Sequence, residues 1–64
     1  MFVISIETDW GKQWIDNFRM YTCLVNEKWR AMKFATREEA EYYLSKLDQR
    51  RNWCIEEFVI EELV

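Results

Sequence analysis

Sixty-four residues, half of them apolar and including four Trp, three Tyr and four Phe but one Gly and no Pro, describe a single folded domain over residues 1–64. They exclude intrinsic disorder, which goes with few aromatics and much Pro, Ser and Gly. Twelve acidic against nine basic residues give a net charge of −3, which excludes a general affinity for nucleic-acid backbones, because that rests on Lys and Arg displacing counterions.

Residues 2–7 alternate, with Phe2, Ile4 and Ile6 on one face and Val3, Ser5 and Glu7 on the other, the pattern of a half-buried strand. Thr8-Asp9-Trp10-Gly11-Lys12 supplies turn chemistry around the one glycine. Residues 13–18 are ambiguous: Trp14, Ile15 and Phe18 fit a helical turn or a strand, and an extended or irregular stretch is expected. Residues 19–25 are rich in strand formers. Asn26-Glu27-Lys28 then suits a hairpin loop, with a returning strand over 29–35. That strand would place Met32 and Phe34 on one face and Trp29, Ala31 and Lys33 on the other.

The helix signal is the sharpest. Thr36 is an N-cap candidate, and Glu39 three residues on completes a capping box. Glu38, Glu39 and Glu41 suit the positive end of the helix dipole, and Lys46, Arg50 and Arg51 its negative end near residues 48–51. Ala40, Tyr43, Leu44 and Leu47 form one apolar stripe. Residues 53–64 return to strand character, but the pairs Glu56-Glu57 and Glu61-Glu62 break the alternation, so either a bulge or a partly free tail is expected. Phe58 and Ile60 would face the helix and Val59 would lie outside. The order is β-β-β-α-β: an α+β fold, a small antiparallel sheet with one helix packed on one face.

No enzyme is expected. The chain has no His, the usual general base near neutral pH, and one Gly leaves no phosphate-cradling loop. Two distant Cys without His make no metal site, and no cofactor is expected. Cys23 and Cys54 read as buried free thiols. No signal peptide opens the sequence and no run of about 20 apolar residues crosses a membrane, which points to the cytoplasm.

Surface chemistry remains. Trp10, Trp14, Trp29, Trp53 and Tyr42 are hard to bury together behind one helix: either they wrap sheet edges and fill the core, or some anchor a partner. Residues 34–64 carry eight acids against four bases, which suits a basic protein partner or simply a solvated surface. Glu56, Glu57, Glu61 and Glu62, with Glu38, Glu39 and Glu41, stand where carboxylates could replace phosphates for a nucleic-acid-handling protein. They also blunt an edge strand against unwanted pairing. The candidate partner-binding residues are therefore Trp10, Trp29, Glu56, Glu57, Glu61 and Glu62. The alternative is a nucleic-acid accessory protein, with Trp29 and Tyr21 on the helix-free sheet face beside Arg19 and Lys33. The aromatic signature of base-stacking sheets is absent, and the charge has the wrong sign. The aromatic content and the edges at 19–25 or 53–64 further suggest a homodimer.

The stretch Ala31-Met32-Lys33-Phe34-Ala35-Thr36-Arg37-Glu38-Glu39-Ala40-Glu41-Tyr42-Tyr43-Leu44 resembles a pattern seen in many tiny bacteriophage proteins. In these a strand ends in Lys-Phe-x-Thr, a helix opens with x-Glu-Glu-Ala-Glu, and an acidic strand closes the chain. The resemblance covers about a quarter of the sequence, and residues 2–7 fit it more loosely. Several such phage proteins inhibit host defence systems, as anti-CRISPR proteins do. The resemblance implies a non-enzymatic, stoichiometric inhibitor of a host defence protein, acting in the host cytoplasm. It carries no functional residues over.

Overall fold

The computed structural model describes residues 1–17 and 23–59. In chain order these form β1 (Phe2–Thr8), β2 (Gly11–Asn17), β3 (Cys23–Val25), a single 3-10 turn (Lys28–Arg30), α1 (Arg37–Leu44) and β4 (Trp53–Glu57). The strands make one antiparallel sheet in the order β3-β2-β1-β4, and α1 packs against one face over β1 and β4. The α+β class and the β-β-β-α-β order match the sequence pattern, but two strands differ in position.

The second strand is β2, at residues 11–17, where an extended or irregular stretch was expected. Its cause is the preceding turn. Thr8 pairs with Gly11, and the Thr8 hydroxyl donates to the Gly11 carbonyl at 2.8 Å and accepts from the Trp10 amide at 3.2 Å. The turn returns the chain immediately along β1. Gly11 sits at φ 102°, a region that side-chain-bearing residues rarely adopt. Gly11→Ala is therefore expected to cost about 1–3 kcal/mol in chemical denaturation through backbone strain, since a Cβ there would meet nothing within 4 Å.

Residues 29–35 do not form the expected returning strand. After Val25 the chain tightens into the 3-10 turn, with the Arg30 and Ala31 amides donating to the Glu27 and Lys28 carbonyls. The segment that follows enters a gap in the sheet. Pairing of β1 with β2 stops at Ser5 and Trp14, and beyond it the Met32 amide donates to the Ile15 carbonyl at 2.9 Å. Phe2 and Phe34 exchange both backbone hydrogen bonds, at 2.9 and 2.8 Å. The segment thus satisfies the polar groups that the parting strands expose, and it delivers the Phe34 ring into the core.

The cap and stripe of the helix lie where the sequence placed them. The Thr36 hydroxyl accepts from the Glu39 amide at 3.1 Å. Ala40 and Leu47 are buried, Tyr43 and Leu44 half-buried, and Tyr42 points outward. The helix ends earlier than expected. Gln49 folds its side-chain amide back to the Leu44 and Leu47 carbonyls at 2.9 and 2.8 Å, supplying partners to terminal carbonyls. Lys46, Arg50 and Arg51 consequently lie beyond its last turn, and Arg50 instead grips Asp48 with two side-chain hydrogen bonds of 3.1 Å.

The core comprises Ile4, Ile15, Phe34, Ala40 and Leu47, packed round by Phe2, Leu24, Met32, Tyr43, Leu44, Trp53 and Ile55. On β4 it is therefore Trp53 and Ile55 that face the helix. Phe58, expected there, lies past the end of the strand, half-buried under the Lys33 ammonium at 4.8 Å. Val59 is exposed as expected, and Ile60 falls outside the described residues. Both Cys23 and Cys54 are free and exposed, not buried: they lie on the two edge strands, and Cys54 projects away from the helix. No helix of the described residues is long and apolar enough to cross a membrane.

Candidate functional site

Apart from Phe58, the aromatic residues that the structure describes fall into three groups. Phe2, Phe34, Tyr43 and Trp53 serve the core, with Phe34 and Tyr43 rings 5.2 Å apart and the Trp53 indole donating to the Asp48 carbonyl at 3.0 Å. Trp14 projects to the helix-free face and is held there by Glu56. Trp10, Trp29 and Tyr42 remain on the surface.

These three differ in how far they are engaged. Lys46 lies over the Tyr42 ring at 4.7 Å, and Tyr43 meets the same ring edge-on at 5.5 Å. Trp29, on the 3-10 turn, carries the Arg30 guanidinium at 5.8 Å and is 68% exposed. Trp10 is 87% exposed at the tip of the β1–β2 hairpin, and among the described residues no ring or cation lies over it. Its backbone is fixed even so, by the Thr8 hydroxyl and the Gly11 turn. A large apolar ring on a constrained tip loses little conformational freedom on docking, the property that makes Trp a frequent interface anchor.

Glu56 is engaged by its own chain. From β4 its carboxylate accepts from Lys12 Nζ at 2.8 Å and from Trp14 Nε1 at 3.0 Å, while Lys28 Nζ of the 3-10 turn lies 3.9 Å away. One side chain thus ties together β4, β2 and the turn. Burial pushes the Glu56 carboxyl up, but Lys12 first, then the neighbouring Ser5 hydroxyl and Trp14 indole, outweigh it and hold the carboxyl below its usual range. Ser5 Oγ, fully buried beside it, makes no hydrogen bond of ordinary geometry. Val3 and Ser5 are both buried on this side, so the helix-free face is covered at its centre. Glu57 is exposed at the end of β4, and Glu38, Glu39 and Glu41 are exposed along the helix. Glu61 and Glu62 lie outside the described residues, as do Arg19 and Tyr21. Trp29 is on no strand, and Lys33 is turned inward to the Trp29 and Ala31 carbonyls.

A carboxyl held low in the folded state stabilises the fold above its unfolded pKa, and that contribution is lost as pH falls through the folded value. Glu56→Gln is expected to lower stability by about 1 kcal/mol at neutral pH, a modest figure because Lys12 is 41% exposed and screened by solvent. Parallel urea titrations of wild type and variant should converge in acid, below the folded pKa of Glu56, and a difference that persists there would show that the ion pair is not its cause. Sequence reading missed Lys12, Trp14 and Lys28 as partners of Glu56. The available signal was the Lys12-x-Trp14 alternation, which becomes informative only once residues 11–17 are known to be a strand.

Among the described residues there is no pocket, and no three His, Cys, Asp or Glu side chains converge as metal ligands. Comparison with known protein families, with curated proteins and with solved structures gave no match to this chain.

Proposed function

We propose that this chain is a small protein-binding module that acts by stoichiometric occupation of a partner, with the Trp10 hairpin tip as its anchor. The observation that carries this reading is the 87% exposure of an indole on a backbone held by Thr8 and Gly11. Exposed Trp is costly to keep in water and is over-represented where interfaces concentrate their energy. Trp29 offers a second apolar contact. The acidic contribution falls to Glu57, Glu38 and Glu39, because Glu56 is already answered by Lys12 and Trp14, and Glu41 by Arg37 at 3.5 Å.

The resemblance to small phage proteins supplies the setting: an inhibitor of a host protein, such as a nucleic-acid-handling defence protein, acting in the host cytoplasm. Immobilised wild type and Trp10→Ala should be exposed in parallel to a bacterial lysate with and without nuclease. A stoichiometric protein retained by wild type after nuclease and lost with Trp10→Ala is the expected result. Retention that depends on intact nucleic acid would instead favour an accessory protein of nucleic acid.

A further inference from the structure

Among the described residues the outer edge of β4 is unpaired. The Phe58 amide donates to the Met1 carbonyl, so in this antiparallel pair residues 54, 56 and 58 turn their backbone groups toward β1. Phe2 agrees, since its own backbone groups face Phe34 on the opposite side. Ile55 and Glu57 therefore present their N–H and C=O groups outward, and among the described residues nothing accepts or donates there. The Trp53 amide, on the same edge, reaches back to the Arg51 carbonyl at 3.2 Å, leaving the Trp53 carbonyl outward. An unpaired edge templates another strand unless charge, Pro or a bulge prevents it. β4 has no Pro, and the charge of Glu56 is answered by Lys12 of the same chain.

We infer that β4 pairs antiparallel with β4 of a second copy across a two-fold axis, in the register that sets Cys54 opposite Cys54. Only registers that oppose odd residues to odd residues let the outward groups bond, and their side chains decide among them. Setting Glu56 against Glu56 places like charges face to face, which is destabilising. Setting Ile55 against Ile55 leaves Trp53 facing Glu57. Setting Trp53 against Trp53 leaves Ile55 facing Arg51, and setting Glu57 against Glu57 again opposes like charges. Setting Cys54 against Cys54 puts Ile55 opposite the second copy's Trp53, an apolar pair on the helix side. It also brings Arg51, just before the strand, toward the second copy's Glu57. The Ile55 amide of each copy then donates to the Trp53 carbonyl of the other. Both sheets become one, with the two helices on the same face. This inference does not depend on the binding role of Trp10.

The register makes Cys54 a reporter. Cys54 and its copy form a non-hydrogen-bonded pair, whose Cα atoms lie about 4.5 Å apart. That spacing is within the range of about 4.4–6.8 Å spanned by disulfides. Diamide, taking up the two protons and two electrons that two thiols release, should convert Cys23→Ser into a covalent dimer at tens of micromolar, and should leave Cys54→Ser uncrosslinked. Light scattering under reducing conditions should give about twice the 8.0 kDa monomer mass for wild type. Cys54→Lys sets two like charges together, and Glu57→Pro removes an amide that the monomer does not use. Both should be monomeric with unchanged circular dichroism. A monomer mass for wild type, a dimer that survives both substitutions, or crosslinking through Cys23 alone would overturn the inference.

Discussion

Phe34→Ala is expected to remove about 3–5 kcal/mol of stability, because Phe34 is the largest fully buried side chain among the described residues. The ring is 1% exposed and central to the core, between Ile4 and Ile15 of the sheet and Ala40 and Leu47 of the helical layer. A chain of 64 residues has a total stability of roughly 3–10 kcal/mol, so the variant should be largely unfolded or close to it at room temperature. Two further consequences add to the lost apolar burial. The segment 31–34 is held in the gap between β1 and β2 partly by that ring, and Tyr43 loses the partner it leans on at 5.2 Å. Leu44→Ala, at a half-buried position, should cost clearly less. Urea titration followed by circular dichroism orders the two, and an equal or smaller loss at Phe34 would show that the inserted segment does not carry the core.

The elements that were legible in the sequence are those whose pattern is local. Thr36 and Glu39 lie within one turn, and Ala40, Tyr43, Leu44 and Leu47 recur at helical spacing, so cap and stripe follow from short-range physics. The alternation of Phe2, Ile4 and Ile6 is equally local, although Val3 and Ser5 proved buried as well, because the far face of the sheet is covered. β2 was not legible: Trp14 and Ile15 are adjacent apolar residues flanked by Gln13 and Asp16, and the strand exists because the Thr8–Gly11 turn lays it on β1. The 29–35 segment shows the converse. Met32 and Phe34 alternate as in a strand, and they do take strand-like hydrogen bonds, but as an insertion between two other strands. The ion pair of Lys12 with Glu56 spans 44 residues and cannot be inferred from local spacing. For the candidate site, sequence chose Trp10 and Trp29 over Trp14 and Trp53, and both chosen rings are exposed, but no local pattern gave a reason for the choice. The fold supplies it: the Trp14 and Trp53 indole N–H groups are already hydrogen-bonded within the chain.

Trp10→Ala is expected to leave the fold nearly unchanged and to weaken partner binding severely. The ring touches nothing whose loss would matter to folding, and surface substitutions of that kind usually stay within about 0.5 kcal/mol. An interface anchor of this type contributes about 2 kcal/mol or more, which is roughly a thirtyfold change in Kd. The loss should fall mainly on the dissociation rate, because removing a buried apolar contact shortens the life of the complex without altering the long-range field that guides encounter. Charge reversal at the exposed Glu57 should act the other way, slowing association and flattening its salt dependence.

The most direct measurement is the Kd of wild type and Trp10→Ala for the nuclease-resistant partner, taken together with their melting temperatures. The account predicts an affinity weakened about thirtyfold or more, carried by faster dissociation, at an unchanged melting temperature. Equal affinity for the two proteins, both folded, would contradict it and remove Trp10 as the anchor.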